Sequence, residues 1–312
     1  MNSQFSILNF QFSILNFIAK GSKTFGSQFS ILNSIIWSPD PEIFSVGNFT
    51  LLWYGVLFAM GLVLAGWYVW NRFKEFGIEQ RHFENLIVWA FFGIFLGARL
   101  GHCLFYEPDY FLSHPIEMFL PVAVDEMGGY YFNGYHGLAS HGAVLGLMLA
   151  LILFKWQSKL AVLPIMDWMA IATPLAGAFI RLGNLINSEI VGAPTDVAWA
   201  FVFPAIDELP RHPAQLYESL FFFVLFGIGV WLFKTLGYKR VSHGFYLSLM
   251  LMVIAGFRFC VEFVKEVQVG FEKEMVLNMG QWLSVPLFLL GVVLMIWTQK
   301  CVKNDEILEN ND

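Results

Sequence analysis

The sequence predicts an all-α membrane protein with seven spanning helices, and two observations carry that prediction. The first is composition: of 312 residues, 57% are hydrophobic and only 13% are charged, with a mean hydropathy of +0.61. Soluble domains carry roughly 25% charged residues, so this chain needs lipid as part of its solvent. The second is the length of its apolar stretches, because a helix crosses the bilayer core with about 20 mainly apolar residues.

Seven stretches reach that length, and polar or basic connections separate them. We expect the spanning helices at 49–70, 85–106, 136–155, 164–187, 213–236, 243–266 and 278–299. An odd number of spans places the two ends of the chain on opposite sides of the membrane.

Basic residues mark every second connection. Lysines and arginines follow the first, third, fifth and seventh stretches, whereas segment 107–135 has none and segment 188–212 has only Arg211. Since basic loops stay in the cytoplasm, this alternation predicts a periplasmic N-terminus and a cytoplasmic C-terminus. We expect the two outer segments to form a small periplasmic cap, the second one irregular or β-rich because of its glycine and prolines.

The N-terminal residues differ from the rest of the chain. The hexapeptide Gln-Phe-Ser-Ile-Leu-Asn occurs three times, at Gln4–Asn9, Gln11–Asn16 and Gln28–Asn33. Its period is shorter than the repeat units of common solenoids, and Lys20 and Lys23 follow the apolar part, unlike the lysines of a secretory signal. We therefore divide the chain into a low-complexity extension (1–34), a seven-helix domain (35–300) and a cytoplasmic tail (301–312).

Several function classes are disfavoured at this point. A net charge of −6 argues against nucleic-acid binding, which usually needs a basic surface. The cysteines are far apart, and we interpret Cys103 and Cys260 as small apolar residues of spanning helices and Cys301 as incidental. The chain has no GxSxG, HExxH or Walker motif and no metal-ligand spacing. We therefore expect no metal, and a chemistry based on positioning and charge stabilisation.

Polar side chains inside the spanning stretches indicate a site, because a charge at the bilayer centre costs about 2.5–3.5 kcal/mol. With the orientation above, nearly all of them fall at one depth in the outer leaflet. This polar layer comprises Tyr54, Arg99, His102, His141, Arg181, Asn184, Asn187, Gln215, Tyr217, Glu218, Arg258, Glu262, Asn278 and Gln281. Helical spacing places Arg181 with Asn184, and Arg258 with Glu262, on one face each.

Single members of this layer also have purely structural interpretations. Arg258 and Glu262 could form an ion pair that joins two helices, and Arg99 could extend to the outer interface. His141 could be a core histidine with satisfied hydrogen bonds. Asp167, near the inner end of the fourth stretch, is interpreted as an interfacial anchor. The layer as a whole, more than any one residue, favours a functional site.

Arginines at headgroup depth suit a phosphate, because the guanidinium group presents a planar fork to phosphate oxygens. A neutral histidine nearby can accept a proton. A transporter is the main rival interpretation, but transporter sites lie near the bilayer midplane between internal repeats, and here the charges lie off-centre without such repeats. A heptahelical receptor is a third, disfavoured by the outer arginines and the short cytoplasmic loops.

Six motifs follow one another in the spans just described. They are Trp53-Tyr54-Gly55, His141-Gly142-Ala143, RLGNLINSE at 181–189, RHPAQLYE at 211–218, FR with EF between 257 and 263, and MGQ with S and P between 279 and 286. In this order they resemble the signature of the prolipoprotein diacylglyceryl transferase family over roughly residues 35–300. Two motifs depart from the family pattern, which has HGG at His141 and NGE at Asn187.

The resemblance implies an activity and a location. Members of this family span the bacterial inner membrane seven times and need no cofactor. They move the diacylglyceryl group of phosphatidylglycerol onto the lipobox cysteine thiol of a prolipoprotein signal peptide, at the outer face of the membrane. The second product is glycerol 1-phosphate, and the reaction is the first step of lipoprotein maturation.

The resemblance also suggests roles. We expect Arg181 and Arg258 to hold the phosphate and stabilise the departing group, with His141 as the base. The base could instead be His136, which also precedes a glycine, or the site could favour the thiolate through its field alone. Glu262 is expected to orient Arg258. The residues expected to bind substrate are Tyr54, Arg99, Asn184, Asn187, Glu189, Gln215 and Glu262.

Overall fold

The computed structural model describes residues 34–309 except 48, 126–128, 133, 135–136, 239, 267–274 and 276. The elements in chain order are β1 (Ile35–Ile36), β2 (Glu42–Val46), β3 (Phe49–Leu52), α1 (Trp53–Glu75), α2 (Gln80–Phe105), α3 (Pro108–Ser113), α4 (Pro115–Phe119), β4 (Val122–Val124), β5 (Tyr130–Phe132), α5 (Ser140–Ser158), α6 (Val162–Ile186), β6 (Phe201–Val202), β7 (Pro210–Arg211), α7 (Ala214–Leu236), α8 (Phe245–Val261), a 3₁₀ turn (Glu262–Val264) and α9 (Met279–Glu309). The hexapeptide repeats lie outside the described residues, so their interpretation as an extension stays a prediction.

The predicted class is confirmed, since seven of the described helices are long and apolar enough to cross a membrane. Three of the predicted starts are displaced by four or five residues: the second spanning helix begins earlier, at Gln80, and the first and third begin later. Residues 49–52 form strand β3, which pairs with β2, and the first spanning helix begins at Trp53. The third begins at Ser140, because Gly137 has a φ of +79° that ends any helix before it. Hydropathy detects apolar residues, and short apolar strands or turns beside a span satisfy it equally well.

Contacts divide the chain into two compact units. The first unit contains residues up to Tyr68 and those from Asp167 onward, and the second contains Val69–Met166. The first unit therefore holds most of α1 and of α6 together with α7 to α9. The second holds α2 to α5, the last two turns of α1 and the first five residues of α6.

A small sheet lies at the C-terminal end of α6 in the first unit. β1 pairs in parallel with β6, and β6 pairs antiparallel with β7. Phe201 of β6 packs with Leu185 of α6, Val191 and Phe203 in a buried cluster. Trp37 contacts this cluster and donates a hydrogen bond from its indole to the carbonyl of Leu185 at 2.8 Å. Segment 188–212 is thus partly β-structure, as its glycine and prolines suggested.

Asp167 does not behave as an interfacial anchor. It is fully buried, and its carboxylate accepts hydrogen bonds from the backbone N–H groups of Gly244 and Leu247, both at 2.7 Å. These groups belong to the first turn of α8, where N–H groups lack partners within the helix. A carboxylate is favoured there by both hydrogen bonding and the helix dipole. Asp167 therefore caps a helix that lies far from it in sequence.

In the second unit, α2 and α5 approach each other through glycines. A Cβ atom on Gly97 would lie 2.8 Å from the Cα of Gly146, and one on Gly101 would lie 2.8 Å from the Cα of Gly142. Spacing of small residues by four positions is a common way for membrane helices to bring their backbones together. Gly142, the glycine of the His141-Gly142-Ala143 motif, therefore has a packing role.

Candidate active site

The centre of the candidate site is Arg181, five residues before the end of α6. Its Nη1 donates a hydrogen bond to Oδ1 of Asn184 at 3.2 Å, one helical turn further on. Its Nε lies 3.0 Å from Oε2 of Glu218 on α7. The side chain is 17% exposed. These two contacts fix the plane of the guanidinium group, and the contacts of the described residues leave its Nη2 without a partner.

A line of alternating charges continues from Arg181. Oε1 of Glu218 lies 3.0 Å from Nζ of Lys265, and Lys265 in turn lies 3.5 Å from Oε2 of Glu262. The side chains of Glu218 and Lys265 are only 4% and 5% exposed. Charges this deeply buried need partners, and each of these carboxylates and cations has one. We call Arg181, Glu218, Lys265 and Glu262 the charge network.

A tight turn after α6 brings Glu189 back beside the helix. Ser188 and Ile190 both adopt the left-handed region, with φ of +55° and +57°. The exposed carboxylate of Glu189 accepts hydrogen bonds from Nδ2 of Asn184 at 3.0 Å and Nδ2 of Asn187 at 3.2 Å. Two non-glycine residues in this conformation cost conformational energy, a common feature of functional turns.

Gln215, the second residue of α7, anchors the same turn. It is fully buried and donates a hydrogen bond from Nε2 to the carbonyl of Glu189 at 2.6 Å. The structure thus brings together Arg181, Asn184, Asn187, Glu189 and Gln215, all of which belong to the predicted site.

Two motif glycines have steric explanations. A Cβ on Gly183 would lie 2.7 Å from Cδ2 of Tyr54, so the tyrosine ring packs directly on the backbone of α6. Gly280 faces the carboxylate of Glu262 in the same way. Each glycine allows a predicted site residue to approach a neighbouring helix closely.

Arg258 and Glu262 do not form the ion pair that their spacing allowed. Glu262 pairs with Lys265 instead. Arg258 is exposed on α8, and no described residue forms an ion pair or hydrogen bond with its side chain. The contact through which Glu262 was expected to orient Arg258 is therefore not present. Arg258 is a cation without a carboxylate partner in the described chain.

Arg99 and His141 belong to the second unit. Arg99 is 5% exposed, donates hydrogen bonds to the carbonyls of Met118 (Nε, 3.2 Å) and Glu117 (Nη2, 2.6 Å), and lies 4.7 Å from the centre of the Phe111 ring. It therefore holds α3 and α4 in place and does not extend into solvent.

His141 is exposed at the start of α5, so it is not a buried core histidine. Its ring lies 5.6 Å from that of Phe105 and 5.7 Å from that of Tyr106. The alternative base, His136, lies outside the described residues.

Two charged residues of the first unit were not predicted as site residues. Lys265 has only one sequence signal, its position three residues after Glu262 at the end of an apolar stretch. Arg211 lies in a recognised motif, but its partners are distant in sequence. It binds Asp207 through Nε (3.0 Å) and Nη2 (2.5 Å) and also pairs with Glu266.

The Arg211 contacts hold segment 188–212 against the residues after α8. Nη1 of Arg211 donates a hydrogen bond to the carbonyl of Gly192 at 3.1 Å, and Gly192 bridges to Lys265. The guanidinium group lowers the pKa of Asp207 below its usual value. Burial lowers the pKa of the neighbouring His212. We call Arg211, Asp207 and Glu266 the clasp, because together they fix the turn that carries Glu189.

Sequence comparison relates most of this chain to known proteins. Residues 41–297 match the model of a family described as prolipoprotein diacylglyceryl transferase. A Bacteroides fragilis protein named phosphatidylglycerol–prolipoprotein diacylglyceryl transferase is 48% identical over 271 residues, covering 87% of this chain and 98% of that protein. Proteins with the same name from Tolumonas auensis and Porphyromonas gingivalis are 40% and 36% identical, covering 85% and 86% of this chain and 98% and 95% of their own lengths.

Proposed function

This chain belongs to the prolipoprotein diacylglyceryl transferase family, and from that premise we propose that it lipidates bacterial prolipoproteins. The donor is phosphatidylglycerol and the acceptor is the thiol of a lipobox cysteine. The sulfur forms a bond to the glyceryl carbon that carries the phosphate, and the carbon–oxygen bond breaks. Its electron pair stays on the phosphate oxygen of the departing glycerol 1-phosphate, and the thiol proton passes to a base.

The main demand of this reaction is stabilisation of negative charge on the phosphate. The leaving group gains charge as a phosphodiester becomes a monoester. Preorganised donors aimed at developing charge are the strongest common source of catalysis. We assign this role to Arg181, whose Nε and Nη1 are held by Glu218 and Asn184 while Nη2 remains available.

Arg258 is the second proposed phosphate ligand. Within the charge network the two cations and two carboxylates balance, so the network by itself offers little attraction for an anion. Arg258 has no carboxylate partner among the described residues, and its charge is therefore available to the substrate. It lies near the C-terminal end of α8, four residues before Glu262 of the 3₁₀ turn.

The proposed base is His141, on the strength of the motif resemblance. A cysteine thiol has a reference pKa of about 8.5 and is mainly protonated at neutral pH, so a proton acceptor raises the thiolate fraction. Asn184, Asn187 and Glu189 are proposed to bind the polar headgroup through the amide and carboxylate groups of the turn.

We place the protein in the bacterial inner membrane with the site in the periplasmic leaflet. Basic residues in the last turns of α1, α5 and α7 support this orientation: Arg72 and Lys74, Lys155, and Lys234. Basic segments remain cytoplasmic, and Arg181 lies near the end of α6, a helix that then runs outward.

The observation that carries the proposal is the held guanidinium of Arg181 inside a chain that matches the family from 41 to 297. Purified protein in detergent with phosphatidylglycerol and a synthetic lipobox peptide should release glycerol phosphate. Release should require the peptide cysteine, with a serine peptide as control, and should fall sharply in Arg181→Ala. Peptide-independent release, or none from folded protein, would contradict the proposal.

A further inference from the structure

The chain between α2 and α5 has an exposed apolar surface that the proposed reaction does not use. We call residues 106–125 and 129–132 the connecting segment. Its exposed apolar side chains come from α3, α4, the residue after α4, and β5. They include Leu112, Ile116, Phe119, Leu120, Tyr131 and Phe132, which are between 46% and 79% exposed.

In α4 a carboxylate is buried beside the apolar Met118, while two large apolar side chains are exposed. Glu117 is 4% exposed, whereas Ile116 and Phe119 are 46% and 56% exposed. The carboxylate of Glu117 accepts hydrogen bonds from the hydroxyl of Tyr110 at 2.8 Å and the backbone N–H of Val124 at 3.1 Å. In water, carboxylates remain outside and large apolar side chains are buried. The exposure of Ile116 and Phe119 beside a buried carboxylate therefore favours apolar surroundings for this face of α4.

The exposed apolar surface begins on a helix that already faces lipid. Leu104 and Phe105, at the end of spanning helix α2, are 46% and 69% exposed. The chain continues directly into the connecting segment, since the N–H of Tyr106 still bonds to the carbonyl of His102 at 3.0 Å. No lysine or arginine occurs between residues 107 and 135. Aromatic residues beside a span are typical of the membrane–water interface.

We propose that the connecting segment lies in the interfacial layer of the bilayer, with the exposed apolar side chains of α3, α4 and strand β5 in contact with lipid. It is then a membrane-surface anchor, and not a cap surrounded by water. This inference depends on the spanning helices and is independent of the proposed reaction.

The connecting segment also has a polar side, which faces a cavity. Arg99, His102, Glu107 and Tyr110 line a polar cavity beneath it. With the apolar side in lipid, this cavity lies at the level of the phospholipid headgroups, where both charged and aromatic groups are tolerated.

Depth measurements with spin labels test the proposal. In a background in which the three native cysteines are alanine, nitroxides are attached at Phe119→Cys and Phe132→Cys, and the protein is placed in vesicles of phosphatidylglycerol and phosphatidylethanolamine. Leu104→Cys on α2 serves as a lipid-facing reference. Asp109→Cys, an exposed polar position in α3, serves as the water-facing reference. Transferase activity of each labelled protein verifies that it is folded.

We expect oxygen, which concentrates in lipid, to relax the labels at 119 and 132 more strongly than a water-soluble nickel chelate, as at 104. The label at 109 should show the opposite preference. Labels at 119 and 132 that behave like the one at 109 would overturn the proposal. So would labels that are open to the nickel chelate until a lipobox peptide is added, because the surface would then bind the signal peptide.

Discussion

Lys265 and Glu218 form an ion pair of 3.0 Å in which both side chains are at most 5% exposed. Lys265 also approaches Glu262, and Glu218 also holds Arg181, so the pair joins the end of α8 to the two helices of the site. Removing one partner of a buried ion pair leaves an uncompensated charge, at a typical cost of about 3–5 kcal/mol.

Lys265→Met should therefore reduce both stability and activity. The carboxylates of Glu218 and Glu262 would lose the cation between them, and Glu218, left with Arg181 as its one cation, would hold that guanidinium group less firmly in place. We expect a lower midpoint of thermal unfolding in detergent and at least about tenfold lower kcat/KM. Lys234→Met, at the end of α7, is the matched control and should leave both unchanged. A normal kcat/KM in Lys265→Met would show that Arg181 does not need the network.

Arg181→Lys should lower activity with little effect on folding. Lysine keeps the charge but lacks the planar fork that contacts Glu218, Asn184 and a phosphate oxygen together. We expect kcat/KM for glycerol phosphate release to fall by about 10²-fold, the usual loss for one preorganised donor. Arg240→Lys, at an exposed position before α8, should have wild-type kinetics. An active Arg181→Lys protein would argue against bidentate binding.

Arg258→Ala should lower activity without lowering stability, unlike Lys265→Met, which should lower both. Arg258 is exposed and has no side-chain partner in the described chain, so its removal leaves no orphaned carboxylate. We expect an unchanged unfolding midpoint and loss of most activity. A large drop in the midpoint would indicate a structural role for this arginine.

Gly97→Ala should destabilise the second unit. The added methyl group would lie 2.8 Å from the Cα of Gly146, and backbone atoms cannot move aside as a flexible side chain can. Overpacking of this kind costs about 1–3 kcal/mol. Gly66→Ala, in α1, is the control, because a Cβ there meets nothing within 4 Å. Thermal unfolding in detergent should show a lower midpoint only for Gly97→Ala.

The clasp predicts a pH-dependent contribution to stability. Arg211 lowers the folded-state pKa of Asp207, so the stabilisation is fully present above the unfolded-state pKa of about 3.9. It is lost as pH falls through the lower folded-state value. Asp207→Asn should therefore be less stable than wild type at pH 7, and the difference should shrink below about pH 4. A difference that is constant with pH would exclude this origin.

The number and approximate position of the spanning helices follow from hydropathy alone, because lipid imposes a minimum apolar length on every span. Asn184 and Gln215 could be selected because their polarity is unusual within apolar helices, whereas Glu189 is selected only through the motif resemblance. The structure places all three beside Arg181. The partners of Lys265 and Arg211 could not be predicted, since ion pairs between distant segments depend on how helices pack. For the same reason the capping role of Asp167 could not be predicted, because its partners are backbone N–H groups of another helix.

That last contact constrains how the protein is made. Asp167 is separated by 77 residues from Gly244, whose N–H group it binds. During synthesis, α6 enters the membrane long before α8 exists, carrying a carboxylate that has no partner at that stage. We expect the N-terminal end of α6 to stay at the water interface, where water solvates the carboxylate, until α7 and the first turn of α8 have been inserted. Biogenesis of this half of the protein is consequently ordered, with α6 reaching its final depth only when α8 arrives.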